Sequence, residues 1–183
     1  MKHLQGILEV MIGMFHPFYV FDNKIKQKGN PKTKYKIAFL FVVLLGFSIF
    51  HFMDTKAYVT VNINVMSKIG FLTAIISRIL LTSYFITLVS KKIIKVSSSF
   101  NKALPIVLIA IPTLFYPFLI QSLHLKNYWT IYDICFVWYL TILSIGIWKT
   151  YQCHPIKSVF IALISQLFYW FIGVTLFAWG MKM

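Results

Sequence analysis

The sequence predicts an all-α, polytopic integral membrane protein: a bundle of five transmembrane helices preceded by an interfacial amphipathic helix. Three observations predict it. First, of 183 residues 59% are hydrophobic and only 12% are charged, with too few polar side chains to cover a water-facing surface. Second, five nearly uncharged stretches recur at 37–53, 69–89, 103–123, 131–148 and 159–181. Each is about long enough to cross a hydrocarbon core of roughly 30 Å as a helix. Third, the lysines cluster between these stretches rather than within them. The chain reads as one membrane domain, with residues 1–36 forming an N-terminal helix and a basic hinge.

The first apolar stretch, Ile7–Phe21, contains Glu9, His16 and Pro17 and lacks a small-residue cleavage pattern. It reads as an amphipathic or partly buried helix lying on the membrane, bent or ended by Pro17. Lys24–Lys36 combines a Gly-Asn-Pro turn with six lysines, a solvated hinge resting against anionic headgroups. Between the first two spans, Tyr58–Val65 (YVTVNINV) alternates like a short strand, and a loop is the favoured reading.

Lysine placement predicts the threading. Seven lysines precede the first span, four lie between the second and third, and two between the fourth and fifth. That puts thirteen on one side against four on the other, with Arg78 inside a span. The positive-inside rule then sets the N-terminus in the cytoplasm and the C-terminus outside. Tyr35, Trp129, Tyr132, Trp148, Tyr151 and Trp179 fall near the expected interfaces, where amphipathic rings settle. The net charge of +14 is accounted for by topology and anionic lipid headgroups, and no soluble domain remains for nucleic acid. Cys135 and Cys153 differ in membrane depth and are expected to stay unpaired, Cys153 reading as a small residue at a membrane end or an acylation site.

Groups for chemistry are few. The acids are Glu9, Asp22, Asp54 and Asp133; the histidines are His3, His16, His51, His124 and His154. The threading gathers His51, Asp54, His124 and Asp133 at one side, and His51 and Asp54 have the spacing of two metal ligands. Without HExxH or paired CxxC, they read as headgroup-level polar residues. No catalytic residue, metal or cofactor is expected. Arg78, the only arginine, falls nine positions into the second span, where insertion costs about 2.5–3.5 kcal/mol before any partner is found. Two environments fit it: an intramembrane pair with Asp133 reached by snorkelling, or carbonyls and hydroxyls at Ser77, Thr82 and Tyr116. In the third span Pro105, Pro112 and Pro117 each remove a donor and crowd the preceding turn, predicting a kinked or broken helix. Ser165, Gln166, Thr82 and Ser83 suit interhelical hydrogen bonds, and Gly173, Ala162 and Ser158 suit close approach.

The layout resembles the Yip1 (Yip/YIPF) family of five-span membrane proteins. The residues carrying the likeness are His16-Pro17-Phe18 before a basic stretch, SSSFNKALPIVLIAIPTLFYPFLI entering the third span, Ile131–Trp148, and KSVFIALISQ entering the fifth. The resemblance implies five helices, a cytoplasmic N-terminus and no catalytic residue. Eukaryotic members are linked to Rab GTPases and vesicle traffic; with about 36 residues before its first span, this chain looks more like the shorter prokaryotic members. The expected role is therefore a non-enzymatic protein of a prokaryotic cell membrane. It would organise or assist a complex in transport, trafficking or envelope stress, with a membrane-protein partner or further copies of itself. The competing expectation is a small transporter or channel using the Pro-broken third span and Arg78. A lipid-acting intramembrane enzyme is the third.

Overall fold

In a computed structural model, the described residues are 2–26, 31–56, 65–95, 98–116 and 128–180, with side chains described at 5–22, 35–49, 70, 72–95, 98–116 and 130–172. All elements among them are helical: α1 (Lys2–Phe15), α2 (Pro17–Lys26), α3 (Pro31–Lys56), α4 (Val65–Ile94), α5 (Phe100–Ala110), α6 (Tyr128–Tyr151) and α7 (Pro155–Gly180). Three segments are long and apolar enough to cross a membrane, Leu72–Ile94, Thr130–Tyr151 and Pro155–Ile172. They make this a membrane protein. Tyr35–Ile49 and Phe100–Phe115, overlapping the other two expected spans, are shorter apolar stretches. Tyr58–Asn64 and Pro117 lie outside the described residues.

Helix ends follow local chemistry. Lys91 and Lys92 occupy the last turn of α4, where cations complement the exposed carbonyls. Lys95 and Gln152, just past α4 and α6, adopt left-handed φ values of 57° and 49°, which stops each helix. Pro155 then starts α7, where its missing N–H costs nothing. His154 caps that helix: its Nδ1 accepts from the Ile156 amide at 3.3 Å and its carbonyl from the Ser158 amide at 3.1 Å. Ser98 donates to the Tyr151 hydroxyl at 2.9 Å, tying the segment before α5 to the end of α6.

Helix α5 is the centre of the bundle. It packs against α1, α3, α4 and α6, and Ala103 and Pro105–Phe115 are all buried. Pro105 sits within α5, and the backbone tightens into a 3-10 turn at Ile111–Phe115, one residue before Pro112. That turn spares the Leu108 carbonyl from the Pro112 ring. The Thr113 hydroxyl donates to the Ala110 carbonyl at 2.7 Å, so this irregular stretch is satisfied within itself.

The N-terminal segment, expected as an amphipathic or partly buried helix lying on the membrane, packs one face of α1 into the bundle and leaves Leu8, Met11 and Phe15 exposed. Gly13 of α1 lies against Ile109 of α5, and Val10 is fully buried. Tyr35 of α3 donates to Glu9 Oε2 at 3.0 Å. The α1–α2 pair is a helical hairpin, as two sets of contacts establish. Helix α1 runs alongside α5, with Gly13 at Ile109 and then Phe15 beside Tyr116. Helix α6 is antiparallel to α5, since Gly146 meets Ile106 and Cys135 lies near Tyr116. Helix α2 follows α6: Phe21 packs on Gly146, Phe18 sets its ring edge on Trp148, and Asp22 pairs with Lys149 at 2.7 Å. The chain thus travels one way in α1 and returns in α2. Its turn at His16-Pro17 sits level with the middle of α6, where Trp138 Nε1 donates to the Met14 carbonyl at 2.8 Å. Pro17 forces that turn because it cannot donate to the carbonyl four residues back.

Candidate intramembrane polar site at Arg78

Arg78 is set in place by three helices. On α4 it lies two turns past Leu72; opposite stand Tyr139 on α6 and Gln166 and Tyr169 on α7. Gln166 and Tyr169 are three apart, so they share a face of α7. Arg78 Nη2 donates to Gln166 Oε1 at 3.4 Å, and Gln166 Nε2 donates to the Tyr139 hydroxyl at 3.0 Å. This arrangement fixes which way the amide points. The guanidinium carbon lies 5.4 Å from the Tyr139 ring centroid and 4.9 Å from that of Tyr169. Each such contact is worth about 0.5–2 kcal/mol, more where water is excluded. Two of them with one charged hydrogen bond offset the insertion cost of about 2.5–3.5 kcal/mol.

The site continues as a buried polar seam. Thr82, Ser83, Thr87 and Ser90 on α4, and Ser158, Ser165 and Gln166 on α7, are all buried. Ser83 and Thr87 donate back to the carbonyls of Ile79 and Ser83, and Ser158 to that of Pro155. The Thr82, Ser90 and Ser165 hydroxyls and Arg78 Nε have no hydrogen-bond partner. In a packed interior each such group costs about 1–3 kcal/mol.

The expected partners of Arg78 lie elsewhere. Among the described residues no ion pair joins it to Asp133, which is exposed. Asp133 is six residues before Tyr139 on α6, about 9 Å along the axis and about 120° round it. The Ser77 hydroxyl donates to the Ala74 carbonyl at 3.0 Å, and Tyr116 packs against Phe15. Of that set only Thr82 joins the cluster, beside the Tyr139 hydroxyl. The side chains of His51, Asp54 and His124 lie outside the described residues. Sequence reasoning found Gln166 as a helix-to-helix donor but not as the ligand of Arg78, and it missed Tyr139 and Tyr169. Their signal was a hydroxyl-bearing ring in mid-span rather than at an interface.

Cys135 and Cys153 are both free thiols. Burial pushes the Cys153 thiol above its ordinary range, against smaller downward pulls from backbone hydrogen bonding and Lys157. Only the thiolate reacts with maleimide. In a Cys135→Ser background, a water-soluble maleimide should therefore label slowly at pH 7. The rate should rise about tenfold per pH unit until the thiol titrates. Labelling at pH 7 as fast as free cysteine would contradict the buried placement.

No family model, curated protein or solved structure matches the chain.

Proposed function

We propose that the chain is a non-enzymatic integral membrane protein that organises or assists a membrane complex, in transport, trafficking or envelope stress. Five crossings of Yip1-like layout, with the lysine-rich connections in the cytoplasm and the C-terminus outside, complete this reading. The hydropathy and lysine pattern of the sequence support them.

The observation that carries the role is the outer face of α7. Ile156, Phe160, Leu163, Leu167 and Trp170 are exposed there, at successive spacings of 4, 3, 4 and 3 residues. They form a 4-3 seam within a broader apolar face that also exposes Val159, Phe168 and Phe171 and that lipid alone can cover. A membrane-protein partner or a second copy of the chain fits it. The competing reading, a small transporter or channel, draws on the unpartnered hydroxyls beside Arg78. Against it, α5 with Pro105 and Pro112 is packed on all sides rather than lining a path.

The test is cysteine cross-linking in intact membranes, in a background free of native thiols. Single cysteines at Leu163, Leu167 or Trp170 should yield one discrete adduct with a membrane protein, and cysteines at Ile134 or Val137 of α6 should not. Absence of a face-specific adduct, together with Arg78-dependent anion flux into liposomes, would reverse the order of the two readings.

A further inference from the structure

Arg78 brings more hydrogen-bond donors to its site than the protein satisfies. A guanidinium has five N–H donors. Gln166 Oε1 accepts from one nitrogen, while the buried Nε has no partner. Two fully buried hydroxyls flank it: Ser165, next to Gln166 on α7, has no partner, and Thr82, one turn along α4, faces the Tyr139 hydroxyl. The Tyr139 hydroxyl lies among Arg78, Thr82 and Gln166. The neighbourhood is thus a cation, hydroxyls and two aromatic faces, with no carboxylate bonded to the guanidinium among the described residues.

A ligand that matches such a set has several acceptor oxygens and negative charge. The planar fork of a guanidinium suits phosphate and carboxylate, accepting them through two parallel N–H bonds. The route to the site selects an apolar body as well. Tyr132, Phe136 and Tyr139 stack in succession along α6, with ring centroids 6.5 and 6.1 Å apart, leading from the Tyr128 end of the helix to Arg78. Arg78 itself is only partly buried, and Thr73 and Ala74 beside it on α4 are exposed. The guanidinium can therefore be reached from the surrounding lipid.

We propose that Arg78, with Thr82 and Ser165, binds the phosphate or carboxylate group of an anionic amphiphile whose apolar body lies along Tyr132 and Phe136. The inference rests on the protein's being membrane-embedded and not on its assisting a complex, so it stands or falls separately from the α7 seam.

The experiment is native mass spectrometry of the full chain released from nanodiscs of phosphatidylcholine containing a minor share of phosphatidylglycerol. Parallel samples replace that share with oleate, or add inorganic phosphate to the phosphatidylglycerol sample. The wild-type chain is expected to retain phosphatidylglycerol or oleate over phosphatidylcholine. Arg78→Gln should reduce that preference about tenfold, and Arg78→Lys less, because it keeps charge without the fork. The pair Thr82→Val and Ser165→Ala should weaken retention about threefold or more while keeping the helix packing. Displacement of the adduct by inorganic phosphate, in the wild type only, would assign the site to the anionic group rather than to the whole lipid. Equal retention by wild type and Arg78→Gln, with both eluting as the same folded species, would overturn the proposal. If Arg78→Gln does not fold, unchanged retention in the hydroxyl pair does so instead.

Discussion

The substitution Gly146→Leu is expected to abolish the folded species, read as loss of the monodisperse peak in size exclusion after mild-detergent extraction. Position 146 is where three helices converge. A Cβ there would run into Ile106 of α5 and lie 2.8 Å from the ring of Phe21 on α2. Neither neighbour has room to yield: Ile106 is fully buried, and Phe21 is 1% exposed. Gly146→Ala asks for a smaller shift and should cost about 1–3 kcal/mol, seen as a lowered midpoint of thermal unfolding. Gly70 is the control. A Cβ at that helical position meets nothing within 4 Å, so Gly70→Ala should be neutral or stabilise by up to about 1 kcal/mol through helix propensity. A folded Gly146→Leu variant with wild-type thermal stability would refute the packing of α2 and α5 against α6.

The second large effect is an asymmetry between the two members of the Arg78–Gln166 pair. Gln166→Leu strands a partly buried charge without its acceptor and removes the donor to the Tyr139 hydroxyl. The expected loss is about 2–4 kcal/mol. Arg78→Leu takes the charge away with its partner bond, and Gln166 keeps its bond to Tyr139. Its stability should stay within about 1 kcal/mol of wild type, because the relieved insertion cost offsets the lost ring contacts. Adding Arg78→Leu to Gln166→Leu should then restore much of what the glutamine change removed. Thermal unfolding of the four proteins in one detergent gives the coupling directly. Independent, additive losses at the two positions would mean that the pair does not form. An arginine that the fold can do without, and that nonetheless sits among unpartnered donors, is the arrangement a binding site requires.

What the sequence made legible was set by the contrast between oil and water. Long uncharged runs and lysine clusters are strong signals of that contrast, and α4, α6 and α7 follow from them. The same contrast says nothing about which helix is central, since lipid tails and neighbouring side chains are equally apolar. The Pro-rich stretch therefore looked like one span among five, whereas Ala103 and Pro105–Phe115 are surrounded by protein. The α1–α2 hairpin was hidden for a related reason: Glu9, His16 and Pro17 interrupt its apolar run, as in a surface helix. Its true surroundings depend on Gly13 and Gly146, whose role is to leave space. At Arg78 charge points to Asp133, and nearby hydroxyls to Ser77, Thr82 and Tyr116; face and depth instead supply Gln166 and two tyrosines, with Thr82 beside them.

The hairpin also constrains the order in which the chain is completed. Along the chain, α1 and α2 precede Ile109, Trp138, Gly146 and Lys149, which hold them, by more than eighty residues, whereas Tyr35, which holds Glu9, follows closely. Helix α1 can therefore settle on α3 early, while the seat of α2 exists only once α6 is made. A truncation after α5 would keep the seat of α1 on α3 and α5 and remove that of α2 on α6.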